Sequence, residues 1–274
     1  MLSAQGLQGA AETVWQQVVG QWPDFSVEVL PELDSTNSEL MRRGRAGQTS
    51  PTLLVAERQT AGRGRLGRDW RTVGGAAPGA DSLTFSLGLV LPAIDLSGLS
   101  LAVGVAVVDA LHPDLGLKWP NDVWLAGRKL AGILIETTAV GDQRWVVIGV
   151  GINLLPRPET DLRTPPAALC EVLPQATVAS VLQAVGPALA RAIRQFTQAG
   201  FADFQAAFAR RDVLRNRTVQ AKDRAGQALQ GVACGVDASG ALLVHTARGV
   251  QVINSAEVSV RPLPPSPLPT PSAP

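Results

Sequence analysis

TLLVAERQTAGRGRLGRDW, residues 52–70, decides between two fold classes for this chain. Its first six residues predict a buried strand, which leads directly into the glycine- and arginine-rich segment GRGRLGR at 62–68. Gly62, Gly64 and Gly67 have the spacing G-x-G-x-x-G, and Asp81 follows nineteen residues after Gly62, as in a dinucleotide-binding turn. That turn requires a helix to begin inside the motif, whereas VGGAAPGAD at 73–81 has the composition of a mobile loop. The three arginines instead indicate anion binding by side chains as well as by backbone.

The composition is that of a folded protein without a strong overall charge. The 274 residues are 46% apolar and 17% charged, with a formal net charge of +1, so any basic function must come from a local cluster. Cys170 and Cys234 lie far apart, which argues against a disulfide framework. His112 and His245 are the only histidines and no C-x-x-C occurs, so no protein-held zinc site is expected, and no residue is assigned as a metal ligand.

The sequence predicts no membrane segment. The N-terminus lacks the basic residues and the apolar stretch of a signal peptide. The most apolar window, LSLAVGVAVVDAL at 99–111, is short and contains Asp109. We therefore expect a cytoplasmic protein that does not bind membranes.

The periodicity along the chain predicts a mixed α+β core. SLTFSLGLVL at 82–91 alternates apolar and small residues, which is typical of a half-buried strand. Its predicted buried face is Leu83, Phe85, Leu87, Leu89 and Leu91. Further strands are predicted in FSVEVL (25–30), VWLA (123–126), KLAGILIE (129–136) and RWVVIGVGINL (144–154). Helices are predicted at 3–20, 99–111, 177–197 and 201–211, the third of them capped by Thr177.

The pattern changes along the chain in a way that predicts four parts. Residues 1–29 form a leader helix and strand, and 30–212 form the main α+β domain. Residues 213–262 contain short alternating stretches separated by Gly, Asp and Ser turns, which predict a small all-β barrel. Residues 263–274 are proline-rich and predict a disordered tail.

Five motifs place polar residues or glycines at strand ends and turns. They are DSTNSE (34–39), ERQTAGRGRLGRDW (57–70), KWPND (118–122), GRKLAGILIE (127–136) and GVGINL (149–154). Taken singly, DSTN is typical of a helix N-cap, KWPND of a tight turn, and GVGINL of a place where chains pack closely. Their joint occurrence in this order is much more specific.

In these motifs the chain closely resembles the biotin protein ligases over roughly residues 30–260. GRGRLGR, KWPND, RKLAGILIE and GVGINL are similar to that family's signature motifs, and GVDASGALLV (235–244) is similar to the hairpin of its C-terminal barrel. The resemblance implies a class II synthetase-like catalytic domain with a mixed sheet, at 30–212, that binds biotin and ATP. An SH3-like β-barrel would follow at 213–262.

The implied activity explains why cations are needed. The carboxylate of biotin attacks the α-phosphate of ATP to give biotinyl-5′-AMP and pyrophosphate, and a lysine of a biotin carboxyl carrier domain then takes the biotin as an amide. Two anions at 4 Å repel by about 4 kcal/mol per charge pair at an effective dielectric constant near 20. Arginine and lysine side chains, with Mg²⁺ as a cofactor, would reverse the sign of that interaction.

By position, the resemblance implies roles for individual residues. The catalytic set is Arg63, Arg65, Lys129 and Asp122. Lys129 would touch the carboxylate and the α-phosphate, while Asp122 would orient the acceptor amine or receive its proton. The biotin-binding set is Ser35, Thr36, Asn37, Gln59, Arg63, Gly64, Arg65, Lys129 and Gly132, whose alcohols and amides suit a neutral urea.

The implied nucleotide-binding set is Arg65, Arg68, Trp70, Lys118, Asn121 and Asn153. Trp70 would stack on adenine, with core packing as the alternative, whereas for Trp119 we expect packing. The glycine- and arginine-rich loop would close over biotinyl-AMP and exclude water. Loop 73–81 looks longer than its counterpart in the family.

Other interpretations remain open. A lipoate- or octanoate-type protein ligase would use the same adenylation on a similar fold, but the urea-binding set favours biotin. A non-catalytic carrier-binding protein would not need Arg63, Arg65 and Lys129, and a Ser-His-Asp hydrolase would need a nucleophile elbow. The residues before 34 are too few for the DNA-binding domain of some family members, so no DNA binding is expected. The family includes both monomers and dimers, and a homodimer is one alternative for this chain.

Overall fold

The computed structural model describes residues 2–70, 81–156, 166–222, 227–254 and 259–263. Apart from Asp81 and Leu263, the predicted loop at 73–81 and the predicted tail at 263–274 lie outside the described residues.

Seven strands form a mixed sheet, in the spatial order β1-β2-β3-β7-β6-β5-β4. Their bounds are Ser26–Leu33 (β1), Thr52–Gln59 (β2), Ser82–Leu91 (β3), Gly116–Lys118 (β4), Asp122–Leu125 (β5), Arg128–Val140 (β6) and Gln143–Asn153 (β7). Strands β1 and β2 run parallel, and the other neighbouring pairs are antiparallel. The predicted mixed-sheet core is confirmed, and strand β4 was not predicted.

Helices cover both faces of this sheet. Their bounds are Leu2–Val18 (α1), Thr36–Arg45 (α2), Leu99–Leu111 (α3), Val178–Ala199 (α4) and Ala202–Arg211 (α5). Residues of α1, α3, α4 and α5 share one apolar core with the sheet, and α2 packs with Trp145 on a second cluster. Thr177 caps α4 as predicted, by accepting a hydrogen bond from the Ser180 amide. In the described part of the chain, no helix is both long and apolar enough to cross a membrane.

Strand β3 is buried on both faces, so the predicted half-buried strand is wrong. Its apolar residues pack into the large core as expected. The alternate residues Ser82, Thr84 and Ser86 are at most 2% exposed. Thr84 is hydrogen-bonded to Ala56 O of β2, and Ser86 contacts Thr36 and Asn37 of α2. Small hydroxyl side chains therefore line a covered polar layer instead of a solvated surface.

Five antiparallel strands form a second sheet near the C-terminus, in the order β11-β10-β9-β8-β12. Their bounds are Thr218–Lys222 (β8), Ala228–Val236 (β9), Leu242–Thr246 (β10), Gly249–Ile253 (β11) and Ser259–Pro262 (β12). The β9–β10 turn contacts the connection between β4 and β5, since Trp119 Nε1 donates to Gly240 O at 3.0 Å. Trp119 is fully buried, as expected for a packing residue. Cys170 and Cys234 form no disulfide.

Candidate active site

A cavity of about 460 Å³, including its part open to solvent, lies on the α2 face of the seven-stranded sheet. The first turn of α2, the end of β2, the loop at 62–70 and the central strands β3, β6 and β7 line it. These segments carry four of the five sequence motifs, and KWPND contributes Asn121. The topology explains the convergence, because β3, β7 and β6 are adjacent in the sheet and α2 crosses them.

The first turn of α2 supplies the buried polar end of the cavity. Ser35 is the N-cap of the helix, and its side chain accepts a hydrogen bond from the Ser38 amide. The Thr36 amide, which an N-terminal turn leaves without a helical partner, donates to Gln59 Oε1 at 2.8 Å. Ser35, Thr36 and Gln59 are each at most 9% exposed. The cap therefore positions neutral polar groups at the base of the cavity.

A chain of hydrogen bonds fixes the direction in which Thr36 can interact. Asn37 Nδ2 faces two acceptors, Leu134 O at 3.2 Å and Glu136 Oε2 at 3.1 Å, so Asn37 Oδ1 must face Ser86. Ser86 Oγ lies 2.6 Å from Asn37 Oδ1 and 2.7 Å from Thr36 Oγ1. Asn37 Oδ1 can only accept, so we assign the single Ser86 proton to Asn37. The single Thr36 proton then goes to Ser86 Oγ at 2.7 Å or to Gln59 Oε1 at 3.1 Å, and both of these acceptors belong to the protein. Thr36 then offers lone pairs, and it accepts N–H donors.

Glycines let side chains lie flat against the central strands. A Cβ atom on Gly149 would lie 2.0 Å from Asn37 Oδ1, and one on Gly151 would lie 2.4 Å from Trp70 Cε2. Trp70 also contacts the place where a Gly132 Cβ would stand. The glycines of GVGIN are thus required by close packing, which was the simple structural explanation of that motif. That packing forms the wall of the cavity.

The loop at 62–68 turns sharply at its tip. Leu66 and Gly67 have φ of 58° and 70°, in the left-handed region that costs a leucine about 1 kcal/mol or more. Gly64 N donates to Arg68 O at 2.7 Å, and Trp70 N donates to Gly62 O at 2.9 Å, which closes the loop on itself. Only a 3₁₀ turn, Arg65–Gly67, forms there. The geometry therefore agrees with rejecting the dinucleotide-binding turn.

A cluster of charges lies at one side of the cavity. Asp122 is the first residue of β5, between β4 and β6, and its carboxylate meets two ammonium groups. Asp122 Oδ1 lies 2.6 Å from Lys129 Nζ, and Oδ2 lies 3.8 Å from Lys118 Nζ. Lys129 Nζ is also 5.9 Å from the centre of the Trp70 ring. Asp122 therefore holds Lys129 at the wall next to Trp70.

Two of these cations are partly removed from water. Burial lowers the pKa of Lys118, while Asp122 acts in the opposite direction. Burial also lowers the pKa of Arg65, again opposed by Asp122. Arg65 Nη1 donates to Asn121 Oδ1 at 3.4 Å. A guanidinium stays charged at neutral pH, so Arg65 supplies positive charge in a site of reduced polarity, where it is more effective.

Comparison with known proteins identifies the family. Residues 29–153 match the Biotin/lipoate A/B protein ligase family, and residues 216–261 match the Biotin protein ligase C terminal domain. The biotin–[acetyl-CoA-carboxylase] ligase of Paracoccus denitrificans is 33% identical over 84% of this chain and 98% of its own length. This chain belongs to the biotin protein ligase family.

Two further members of the family support the comparison. The bifunctional ligase/repressor BirA of Escherichia coli is 35% identical over 90% of this chain and 77% of its own length. The biotin protein ligase from Aquifex aeolicus, solved in complex with biotin and ATP, is 27% identical with a TM-score of 0.71. That comparison covers 86% of this chain and 99% of the Aquifex chain.

Most of the site residues predicted from the sequence of this biotin protein ligase lie at one cavity. Those that line it are Ser35, Thr36, Asn37, Gln59, Arg63, Gly64, Arg65, Trp70, Asn121, Lys129 and Gly132. Asp122 and Lys118 lie behind the lining and connect to it through Lys129. Arg68 is exposed on the loop, and Asn153 is buried at the end of β7, where it donates to Ala167 O at 3.2 Å.

Several residues of the cavity were not predicted from the sequence. Thr84, Phe85, Ile133, Leu134, Gly149, Val150 and Gly151 also line it. Ser86 and Glu136 hold Asn37 from outside the lining. One sequence signal could have marked this strand as part of the site. The alternate residues of β3 are small hydroxyl side chains, whereas a strand face exposed to solvent usually carries charged side chains.

The described residues contain no group of three or more acidic, histidine or cysteine side chains that could hold a metal ion. Asp122 and Glu136, two carboxylates at the site, each already pair with a cation. These residues do not fit a protein-held Mg²⁺. A Mg²⁺ carried by the phosphates of ATP would need few protein ligands.

Proposed function

We propose that this chain forms biotinyl-5′-AMP from biotin and MgATP and transfers the biotin to a lysine of a biotin carboxyl carrier domain. The observation that carries this proposal is the joining of two unlike surfaces in one cavity. A neutral polar floor formed by Thr36, Gln59 and Ser35 adjoins a cationic side formed by Arg65 and Lys129. Biotin has the same division, with a neutral ureido ring at one end and a carboxylate at the other.

The floor suits a urea through the direction of its hydrogen bonds. The Thr36 proton is directed to Ser86 or Gln59 within the protein, so its lone pairs fit a ureido N–H. An acid whose ring carries no N–H would leave this buried acceptor unpaired, and such a loss is costly. The floor therefore favours biotin over lipoate or octanoate, which are the alternative substrates of the same fold.

The cationic side suits the adenylation step. Lys129, held by Asp122 at 2.6 Å, is placed to meet a carboxylate and an α-phosphate at the same time. Arg65 adds a charge that can hold two oxygens with one planar group. These cations lower the repulsion between the reactants and stabilise the charge that develops on the phosphate. Asp122 then lies beside the acyl-adenylate, where it could orient the acceptor amine.

Trp70 and Asn153 are the proposed adenine contacts. The Trp70 ring packs on Gly151 and Gly132 of the sheet, which would hold its flat face in place for stacking on adenine. Asn153 and Arg68 lie outside the lining of the cavity, so their proposed contacts rest on the match of their motifs alone.

Several features beyond the site belong to the same proposal. The five C-terminal strands would form an SH3-like barrel at 213–262, after a class II synthetase-like catalytic domain at 30–212. We further propose a cytoplasmic enzyme that does not bind DNA or membranes and that acts as a monomer or a homodimer. Its acceptor would be the carrier domain of a biotin-dependent carboxylase, and Mg²⁺ would arrive with ATP.

One experiment separates the candidate substrates. The purified chain is incubated with MgATP and biotin, lipoate or octanoate, and acid-dependent pyrophosphate exchange is measured. Transfer to a carrier domain is followed in parallel, with a carrier whose acceptor lysine is replaced by arginine as control. We expect exchange and transfer with biotin. Exchange with lipoate alone would overturn the proposal.

A further inference from the structure

Glu136 joins the arginine loop to the central sheet. It lies on β6, and its side chain is 21% exposed. Arg63 Nη2 donates to Glu136 Oε1 at 2.9 Å, and Arg63 Nη1 donates to Oε2 at 3.2 Å, which is a two-point contact between planar groups. Arg63 Nη1 also lies 3.3 Å from Ser38 Oγ on α2. The carboxylate thus connects β6, the loop and the neighbourhood of α2.

Asn37 holds the Glu136 carboxylate from the buried side. In the sheet register, Ser86 of β3, Gly149 of β7 and Leu134 of β6 are aligned across three strands. The Asn37 amide lies across this row, accepting from Ser86 at one end and donating to Leu134 O and Glu136 Oε2 at the other. Only a glycine at 149 permits this path. Asn37 is 3% exposed, so its amide is a fixed support for Glu136.

Much of the loop 62–68 lies at the surface. Arg63, Leu66, Gly67 and Arg68 are exposed, and Leu66 is 38% exposed. The side-chain contact of Arg65 with Asn121 is long, at 3.4 Å. A segment with little buried apolar surface opens easily unless specific contacts hold it. The two-point pair with Glu136 is such a contact.

We propose that Glu136 is a positioning residue: its ion pair with Arg63, oriented by Asn37, holds the loop 62–68 over the cavity. Arg63 then acts on the reactants by placing its neighbours Gly64 and Arg65, both of which line the cavity. This inference rests on the proposed function, because its effect is expressed through biotin and ATP. It separates Arg63, an anchor of the loop, from Arg65, which supplies charge to the reaction.

The test compares two Glu→Gln substitutions. Glu136→Gln removes the charge at the loop, and Glu28→Gln removes a similar Arg–Glu pair, with Arg43 at 2.8 Å, that lies away from the cavity. We expect Glu136→Gln to raise the KM for biotin and ATP by about tenfold while kcat for adenylation stays within about threefold. Release of free biotinyl-AMP should rise as well. Glu28→Gln should change none of these.

Limited trypsin digestion provides a readout that does not depend on ligase activity. Cleavage after Arg65 and Arg68 should be about tenfold faster in Glu136→Gln than in the wild type, because the loop opens more often. Exchanging the pair, with Arg63→Glu and Glu136→Arg together, should restore protection relative to Glu136→Arg alone. That comparison keeps the test informative if Glu136→Gln folds poorly.

Two results would overturn the inference. A fall in kcat with unchanged KM would assign Glu136 to the chemistry itself. Unchanged kinetics and unchanged cleavage would show that the pair does not hold the loop. In both cases wild-type adenylation of biotin would still stand, so failure of this inference is distinguishable from failure of the proposed function.

Discussion

The floor and the cationic side of the cavity are built on opposite physical principles. In the floor, Ser35, Thr36 and Gln59 are at most 9% exposed and carry no charge, and the buried pair of Asn37 and Ser86 holds Thr36 from behind. At the cationic side, the Lys129 side chain is 34% exposed and pairs with the Asp122 carboxylate, and Arg65 lines the same cavity. The first region is fixed before any reactant arrives, and the second can exchange a partner for an anion.

This difference predicts which kinetic constant each region controls. Buried neutral groups discriminate between ligands, because a ligand that lacks a matching donor leaves them unpaired. Exposed cations discriminate little between acids, but they stabilise charge that develops during reaction. We therefore expect changes in the floor to act on biotin binding and changes at the cationic side to act on the rate of adenylation.

Lys129→Ala should give the largest effect. It removes the ammonium group next to Trp70 and Asp122 without opening the apolar core. We expect kcat for pyrophosphate exchange to fall by roughly 10²- to 10³-fold, as for loss of one electrostatic contact in a transition state. The KM for biotin should change much less. Lys222→Ala, at an exposed position of β8, is the control.

If Lys129→Ala lowered only the affinity for biotin, the expectation that the cationic side controls the rate and the floor controls binding would be wrong. Exchange at the wild-type rate would remove Lys129 from the catalytic set.

Gly149→Ala should give the next largest effect, and it tests the floor. The new methyl group would lie 2.0 Å from Asn37 Oδ1, so the amide must move and its links to Ser86 and Glu136 weaken. We expect biotin affinity, measured by calorimetry, to fall by roughly 10- to 100-fold, because a displacement near 1 Å is enough for such a loss. ATP affinity should change less.

Gly9→Ala is the matched control for this substitution. A Cβ at Gly9 meets nothing within 4 Å, and the residue lies inside α1, where alanine is favoured over glycine. Equal biotin affinities in the two variants would mean that Asn37 can leave its position without consequence.

The sequence predicted six of the seven strands of the first sheet and most of the lining of the cavity. Strand β7 and helix α4 followed from periodicity and capping, because those signals are local. DSTN is typical of an N-cap, and the structure has one at Ser35, but helix α2 itself was not predicted. Residues of the lining were found where a motif marked them, and Arg63, Arg65 and Lys129 are examples.

Contacts between distant strands were not predictable from local pattern. From the local sequence, Ser86 is predicted to lie on the polar face of a half-buried strand. Its burial depends on α2, which lies about fifty residues earlier in the chain. From the local sequence, Glu136 is predicted to be an exposed residue at the end of a strand, because nothing nearby in the sequence indicates its contact with Arg63. Both residues act through partners set by tertiary topology, which periodicity does not encode.

Lys118→Met should give the smallest effect, on stability, and it sharpens the description of the cationic side. The Lys118 side chain is 11% exposed, and Asp122 would keep its closer partner Lys129 after the change. Burial lowers the pKa of Lys118 below its ordinary 10.5, so at neutral pH the unfolded chain binds this proton more tightly than the folded one. The charge therefore opposes folding at neutral pH, and this cost disappears as the pH rises toward 10.5.

The expected result is a stability difference that depends on pH. Lys118→Met should raise the free energy of unfolding by about 1 kcal/mol at pH 7, since it removes the desolvation cost of the ammonium group while Asp122 keeps Lys129 as its partner. The gain should shrink as the pH approaches 10.5, because the wild type then loses its penalty. Urea unfolding of the wild type and the variant at pH 7 and at a pH approaching 10.5 measures this stability difference. Lys222→Met, at an exposed position, is the control. A variant less stable than the wild type at pH 7 would mean that the attraction between Lys118 and Asp122 outweighs the cost of burying the Lys118 charge. The region behind Lys129 would then be stabilised by ion pairs.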